Sequence, residues 1–277
     1  MARTAAAPRP ERIADRRQRV QSAEMGMAVL KALARLGGAA SLTAIGSAVD
    51  ESPAKVHRYL ASLIQQGLVA QDPSTQHYYL GREAIQIGLA ALRQCDPVRT
   101  GESALVRLRE ELQVTCFIAV MGNKGPTVLR IEEPALPVTV NIRAGSVLPL
   151  LWSASGQAFL GFSDDDDTRR LAEEEYAAAS AEQRAMLAGT RPIERLRRQV
   201  QDQGCAIVDE TLLRGISAVA APILDATGKV VAVLTALGAT AGFDSRPGGR
   251  ICPEVIRTAQ AISSDLGFEA AEQRSAA

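Results

Sequence analysis

Apolar residues fall into helical register soon after the N-terminus. Met25, Val29, Ala32, Leu33 and Leu36 recur every three or four positions from about Ser22, which predicts an amphipathic helix. Gly37 and Gly38 end it. A short second helix follows, capped by Ser41, with Leu42, Ile45 and Val49 inward and Asp50-Glu51 as a tight turn after it. Ser52 is a good N-cap and Pro53 suits the first helical position. A third helix therefore runs from Pro53 to about Gln66, with Val56, Leu60, Leu63 and Ile64 on one stripe, and Gly67 stops it. Two β-prone runs, Leu68–Gln71 and His77–Leu80, flank the turn Asp72-Pro73-Ser74-Thr75 and predict a hairpin. Tyr78 and Tyr79 alternate across its second strand, so one of them belongs in a core. Three short helices followed directly by a hairpin make a winged helix-turn-helix. A helix from Arg82 to about Arg93 comes next, with Ile85, Leu89 and Leu92 in register, and Asp96-Pro97 breaks it.

The remainder mixes strands and helices. Val98–Leu112 is amphipathic; Thr115–Met121 and Thr127–Ile131 read as strands around Gly122-Asn123-Lys124-Gly125, and Val138–Ile142 as another. A short helix, Ser153–Gly161, enters from the loop 144–152, and residues 164–203 are helical and strongly charged. Cys205–Asp209, Ala218–Leu224 and Lys229–Leu237 read as strands, the last two around Ala226-Thr227-Gly228. Ile251, Val255, Ala259, Ile262 and Leu266 mark a closing helix. The pattern predicts an α+β domain with a central antiparallel sheet.

The polar face of the third helix carries the candidate chemistry. Opposite its apolar stripe lie Ala54, Lys55, Arg58, Ser62 and Gln65, flanked by His57 and Tyr59. Small residues, hydrogen-bonding groups and two permanent cations are what a helix needs to enter a major groove and reach base edges and phosphates. Ser52, Lys55 and Arg58 are the candidates for base or phosphate contact, with His57 and Tyr59 at the backbone. Ser41, Thr43, Pro53, Ala54 and Ser62 complete the expected interface, and His77 on the wing faces either a phosphate or water.

Charge adds to this picture only when the chain is divided. The formal net charge is zero, yet residues 1–95 hold 12 Lys and Arg against 7 Asp and Glu, while residues 96–277 hold 19 against 24. A basic first third joined to an acidic remainder fits a DNA-binding module fused to a partner that does not bind DNA. No apolar run is long enough for a membrane span, and the arginine-containing start lacks the apolar stretch of a secretory signal; a cytoplasmic protein is expected. Cys95, Cys116, Cys205 and Cys252 are scattered without a paired-ligand spacing, so reduced, partly buried thiols are expected rather than a metal site. The acidic run Asp164–Asp167, followed by Arg169 and Arg170, suits the N-terminus of a helix better than a metal. Neither metal nor cofactor is implied. Nor is an enzyme: there is no G-x-S-x-G elbow, phosphate-cradling glycine loop or H-E-x-x-H, and both histidines, His57 and His77, lie in the basic third.

A ligand site is expected in the second part. Loop 144–152 holds Gly145 and Ser146 and leads into a helix start at Ser153, Ser155 and Gly156, where backbone N–H groups suit a carboxylate. The apolar strands carry isolated polar positions such as Thr235. Ser153, Ser155, Gly156, Ala218 and Thr235 are expected to line the cavity, with Asp209 at its rim, and Trp152 either forms a wall or packs.

In order along the chain, several blocks resemble the IclR family of bacterial transcriptional regulators. They are Leu42-Thr43-Ala44-Ile45, Ser52 to Leu60, Gly67-Leu68-Val69 and the wing ending Tyr79-Leu80-Gly81, then Ala144 to Leu150, Ser153 to Ala158, Gly204-Cys205-Ala206 and Gly215 to Pro222. The resemblance spans about residues 22–268. It implies a GAF-like effector-binding domain, homodimers or dimers of dimers, a palindromic operator in double-stranded DNA, and control of catabolic genes by a small organic acid, aromatic acids included. Pro53-Ala54-Lys55 depart from the Lys-Ser-Thr-like run of many members, so no operator sequence carries over. The expected layout is a basic arm (1–21), the winged helix-turn-helix (22–81), a linker helix (82–96), the effector-binding and oligomerisation domain (97–269) and a tail (270–277). The alternative reading is a DNA-binding protein whose C-terminal domain only oligomerises or binds a protein partner.

Overall fold

The computed structural model describes residues 20–135, 142–187 and 189–269. All but the last two residues of the arm expected at 1–21, the tail and most of the strand expected at Val138–Ile142 lie outside them; Gln21, expected in the arm, is the first residue of a helix. The chain forms two compact units, dividing between Gln94 and Cys95.

In the first unit, α1 (Gln21–Arg35), α2 (Leu42–Ala48) and α3 (Pro53–Gln65) precede a small antiparallel sheet. Its strands are β1 (Ala39–Ala40), β2 (Val69–Gln71) and β3 (Tyr78–Leu80), in the order β1-β3-β2. Strand β1 has no sequence signal. Two alanines have little strand preference of their own and pair here because Tyr78 and Tyr79 offer an edge, Ala40 opposite Tyr78 and Ala39 opposite Tyr79. Val29 and Leu33 of α1, Ile45 of α2, Val56, Leu60 and Leu63 of α3, and Tyr78 form one core. Tyr78 is the inward wing tyrosine, and Tyr79 stands 43% exposed. Ile64, expected on the buried stripe, is exposed; it follows Leu63 by a single 100° step and so lies at the edge of the stripe. Helix α4 (Arg82–Leu92) leaves the wing without burying any residue; Ile85, Ile87, Leu89 and Leu92 all stand exposed.

The second unit is built on a five-stranded antiparallel sheet. Helix α5 (Pro97–Leu112) starts at Asp96, whose carboxylate accepts the Val98 N–H at 2.9 Å. After it come β4 (Thr115–Gly122), β5 (Gly125–Glu132), α6 (Ala154–Phe162), α7 (Asp166–Ala178), α8 (Ala181–Met186), α9 (Pro192–Gln203), β6 (Ala206–Asp209), β7 (Ile216–Leu224), β8 (Val230–Ala239) and α10 (Ile251–Asp265). The strand order is β5-β4-β8-β7-β6. The charged stretch after residue 164 is three helices. Ser180 restarts the chain with a capping box to Gln183, and Pro192 opens α9. The acidic run does what helix electrostatics asks: Asp165 caps α7 by accepting from Thr168 N at 3.1 Å, and Asp166 and Asp167 fill its first turn.

Both faces of this sheet are covered. Cys116 and Ile118 of β4, Val219, Ala221 and Ile223 of β7, and Ala232, Leu234 and Ala236 of β8 face α5 and α10. The alternate residues face the other way, where Val233, Ala220, Ala206 and Val208 pack with α6. Phe117, Ala119, Val128, Leu148 and Leu237 form a further cluster in this unit.

Candidate nucleic-acid interface and ligand cavity

Helix α3 is held by Val56, Leu60 and Leu63, all buried, which leaves the opposite surface to solvent. Pro53, Ala54, His57, Arg58 and Ser62 are exposed, and Lys55 and Tyr59 are half-buried. Tyr59 packs beside the core, near Gly26 of α1. Ser52 sits at the N-cap but its hydroxyl makes no cap bond, so the expected cap is positional only. Ser62 donates to the Arg58 carbonyl at 3.2 Å. In α2, Ser41 caps as expected, accepting from Ala44 N at 3.2 Å, and Thr43 is exposed. On the wing, Asp72 accepts from the Ser74 amide at 2.7 Å and hydroxyl at 2.6 Å, and these bonds hold its carboxyl below the usual range. His77 is exposed just beyond that turn.

Lys55 is not an idle cation, because it forms an ion pair with Glu51 one turn earlier. A phosphate approaching Lys55 has to displace that carboxylate or tolerate it. Replacing Glu51 with Gln should therefore raise nonspecific DNA affinity several-fold and steepen the dependence of log Kd on log salt by up to about 0.9 for each lysine released. A salt titration of DNA binding by anisotropy measures both. An unchanged slope would mean that Lys55 stays off the phosphates.

The second unit holds a small apolar cavity of about 40 Å³. Its floor comes from sheet register. Phe117 lies opposite Thr235, which is opposite Ala220; Leu237 lies opposite Ala218, which is opposite Val208. Phe117, Thr235, Leu237, Ala218 and Val208 all line the cavity. The start of α6 (Ser153, Ala154, Ser155) and Leu148 close one side, and Ile142, Leu212, Leu213 and Ile216 another. Among the described residues, none of those lining the cavity is a Lys, Arg or His.

The three hydroxyls at this site differ in status. Ser153 is committed to the backbone: it donates to the Pro149 carbonyl at 2.6 Å and accepts from Gly156 N at 3.0 Å. Ser155 and Thr235 bond each other at 2.9 Å while buried. Two hydroxyls carry two protons and their mutual bond uses one, so the pair keeps one O–H to offer a guest. Gly156 is a structural requirement rather than a wall. A Cβ there would fall 2.3 Å from the Leu150 carbonyl oxygen, and only glycine lets α6 lie so close to the preceding loop.

Gly145, Ser146 and Asp209 lie off the cavity lining. Gly145 and Ser146 turn the loop back against β5, with Gly145 N donating to the Val128 carbonyl at 2.7 Å and Val128 N to that of Ser146 at 2.9 Å. Asp209 accepts the Ser245 hydroxyl at 2.9 Å. Trp152 packs in the cluster around α6. Phe117, Ile142, Leu148, Ala154, Val208, Leu212, Leu213, Ile216 and Leu237 are the lining residues that periodicity alone does not single out.

Glu175 of α7 holds the loop entering α6, accepting from Leu150 N at 2.7 Å and Leu151 N at 3.2 Å. Burial raises its pKa, and those two bonds only partly oppose the rise. A raised carboxyl binds more protons in the folded state, so its contribution to stability is full below the ordinary glutamate value and is lost as pH rises through the raised one. Thermal unfolding followed across that interval should show a decline with pH that Glu175→Gln removes; an identical profile for both proteins would refute the assignment.

A winged helix-turn-helix whose third helix presents a solvent-facing cationic surface defines a DNA-binding transcription regulator. The model of the IclR helix-turn-helix domain matches residues 22–73, and that of the bacterial transcriptional regulator IclR C-terminal domain matches residues 89–264. The chain belongs to the IclR family of bacterial transcriptional regulators. It is similar to the crystal structure of Pseudomonas aeruginosa HmgR, at 39% identity and TM-score 0.82, over 91% of this chain and 100% of that one. It is 28% identical to the regulator SauR of Cupriavidus necator over 48% of this chain, a match that spans 53% of SauR. An IclR homologue from Microbacterium hydrocarbonoxydans, crystallised with 4-hydroxybenzoate, shares the fold at 18% identity and TM-score 0.51, over 89% of this chain and 99% of that one. No helix among the described residues is long and apolar enough to cross a membrane.

Proposed function

We propose that this regulator controls catabolic genes by binding a palindromic operator as a homodimer or dimer of dimers, and that a small organic acid, best an aromatic carboxylic acid, alters that binding from the cavity of the second unit. The observation that carries the effector reading is the cavity itself: apolar walls including Phe117, with the Ser155–Thr235 pair as the polar feature at the N-terminus of α6. Apolar walls suit a ring, and a hydroxyl beside helix N–H groups suits an oxyanion without a cation. The complex of the Microbacterium homologue with 4-hydroxybenzoate supports the same ligand class. Lys55 and Arg58 on α3, with Ser52, His57 and Tyr59 around them, are the residues proposed to meet DNA. The exposed row Ile85, Leu89 and Leu92 on α4 supports pairing with a second copy.

A space of about 40 Å³ admits little more than a water. An aromatic acid therefore enters with outward movement of Leu212 and Leu213, two exposed leucines on the segment between β6 and β7. Such movement is the differential interaction that a ligand needs to shift a conformational equilibrium. Thermal unfolding against a panel of benzoates and phenylacetates tests the reading. A ligand at 100 times its Kd should stabilise by about 2.7 kcal/mol, a rise of roughly 5–10 °C for a unit of this size. Ala218→Phe, which fills the cavity, should abolish the rise. No shift with any acid would instead favour a second unit that only oligomerises or binds a protein partner.

A further inference from the structure

The second unit contains two thiols that neither DNA reading nor the cavity uses. Cys205 lies between α9 and β6, Cys252 lies in the first turn of α10, and both are fully buried. Their sulfurs are 3.0 Å apart although the residues are 47 positions apart in sequence. A disulfide needs about 2.05 Å, so the two atoms have only about 1 Å left to close.

The two thiols are not equivalent. The two sulfurs share one hydrogen bond, in which either thiol can donate; that bond holds the Cys252 thiol below its ordinary value and, together with burial, pushes Cys205 up, which favours Cys205 as the donor. Cys252 is the second residue of α10, a helix with no side-chain cap at Arg250, so it lies at the positive end of the helix dipole, which favours a thiolate. The segment leading into it, from Arg246 to Arg250, is largely exposed. Cys116, a third buried thiol in the same core, is pushed up to about 12 by burial alone and has no sulfur partner among the described residues.

We propose that Cys205 and Cys252 are an oxidative modification site, converted by a hydroperoxide into an intramolecular disulfide. The Cys252 thiolate attacks one oxygen of hydrogen peroxide and breaks the O–O bond, giving a sulfenic acid and hydroxide, which takes up the proton that Cys252 released and leaves as water. The Cys205 sulfur then displaces the sulfenic hydroxyl as a second water, and the S–S bond forms. Two sulfurs together lose two electrons, peroxide gains them, and a dithiol reductant reverses the step. Because both sulfurs are buried, the rate follows local opening of the first turn of α10. The bond ties the start of β6 to α10. The far end of that strand is already tied to the same region by the Asp209–Ser245 hydrogen bond, and Val208 between them lines the cavity.

The test uses the full chain carrying Cys95→Ser, which removes the exposed cysteine. The folded protein is treated with hydrogen peroxide, then unfolded, alkylated and mapped by mass spectrometry. The expected result is a cross-linked peptide pair containing Cys205 and Cys252, two hydrogens lighter than the separate peptides, with Cys116 still alkylated. The melting temperature should rise by roughly 5–10 °C, and dithiothreitol should reverse both changes. Adding Cys252→Ser should leave Cys205 alkylated and the melting temperature insensitive to peroxide. Should that variant fail to fold, the peptide map of the Cys95→Ser protein decides alone. Three alkylated thiols after prolonged exposure, a link through Cys116, or sulfinic acid in place of the disulfide would each overturn the proposal.

Discussion

Arg58→Ala lowers specific operator affinity by about 1–3 kcal/mol per half-site, roughly 5- to 150-fold, and leaves thermal unfolding unchanged. The stability half of this result follows from placement: Arg58 is exposed on the face opposite the buried Val56, Leu60 and Leu63. The affinity half follows from chemistry, because a guanidinium reaching a guanine edge makes two directed hydrogen bonds that alanine cannot replace. An operator selected from random DNA, titrated at fixed salt with both proteins, gives the number. An equal loss on nonspecific DNA would reassign Arg58 to a phosphate.

Leu60→Ala has the opposite signature. Leu60 is fully buried between α1, α2 and the wing, and emptying such a site costs about 2–5 kcal/mol. The first unit has only one small core, so this is a large part of its stability. DNA of every sequence should be lost together at 37 °C, while the unfolding of the second unit and its response to acids stay in place. Calorimetry resolves the two. Loss of DNA binding without any drop in the first transition would mean that Leu60 acts other than through the core.

The DNA-reading unit was legible because its signals are local. Caps, a 3.6-residue stripe and a hairpin turn fall within 60 residues, and the inward faces follow from spacing alone. What failed there was edge information: Ile64 sits one step past the stripe, and β1 exists only because β3 is beside it. The cavity was half legible for a related reason. A sheet covered on both faces reads as continuous apolar sequence, so alternation does not say which of Phe117 and Ile118, or of Leu234 and Leu237, faces α6. Thr235 stands out as polar in an apolar strand and Ser155 as part of a helix start, and they prove to be each other's partner. Gly145 and Ser146 were singled out by loop chemistry, but what they do in the structure is turn the chain against β5. Leu212 and Leu213 belong to no periodic element, and only the tertiary fold brings them to the lining.

We propose that α3 reads DNA sequence with the face opposite Val56, Leu60 and Leu63. The decisive measurement is a hydroxyl-radical footprint on the DNA flanking the protein's own gene, with wild type and Arg58→Ala at one salt concentration. Two protected half-sites related by a two-fold axis are expected for the wild type, and none at the same concentration for the variant. Uniform protection without half-sites, or an identical footprint from both proteins, would contradict it.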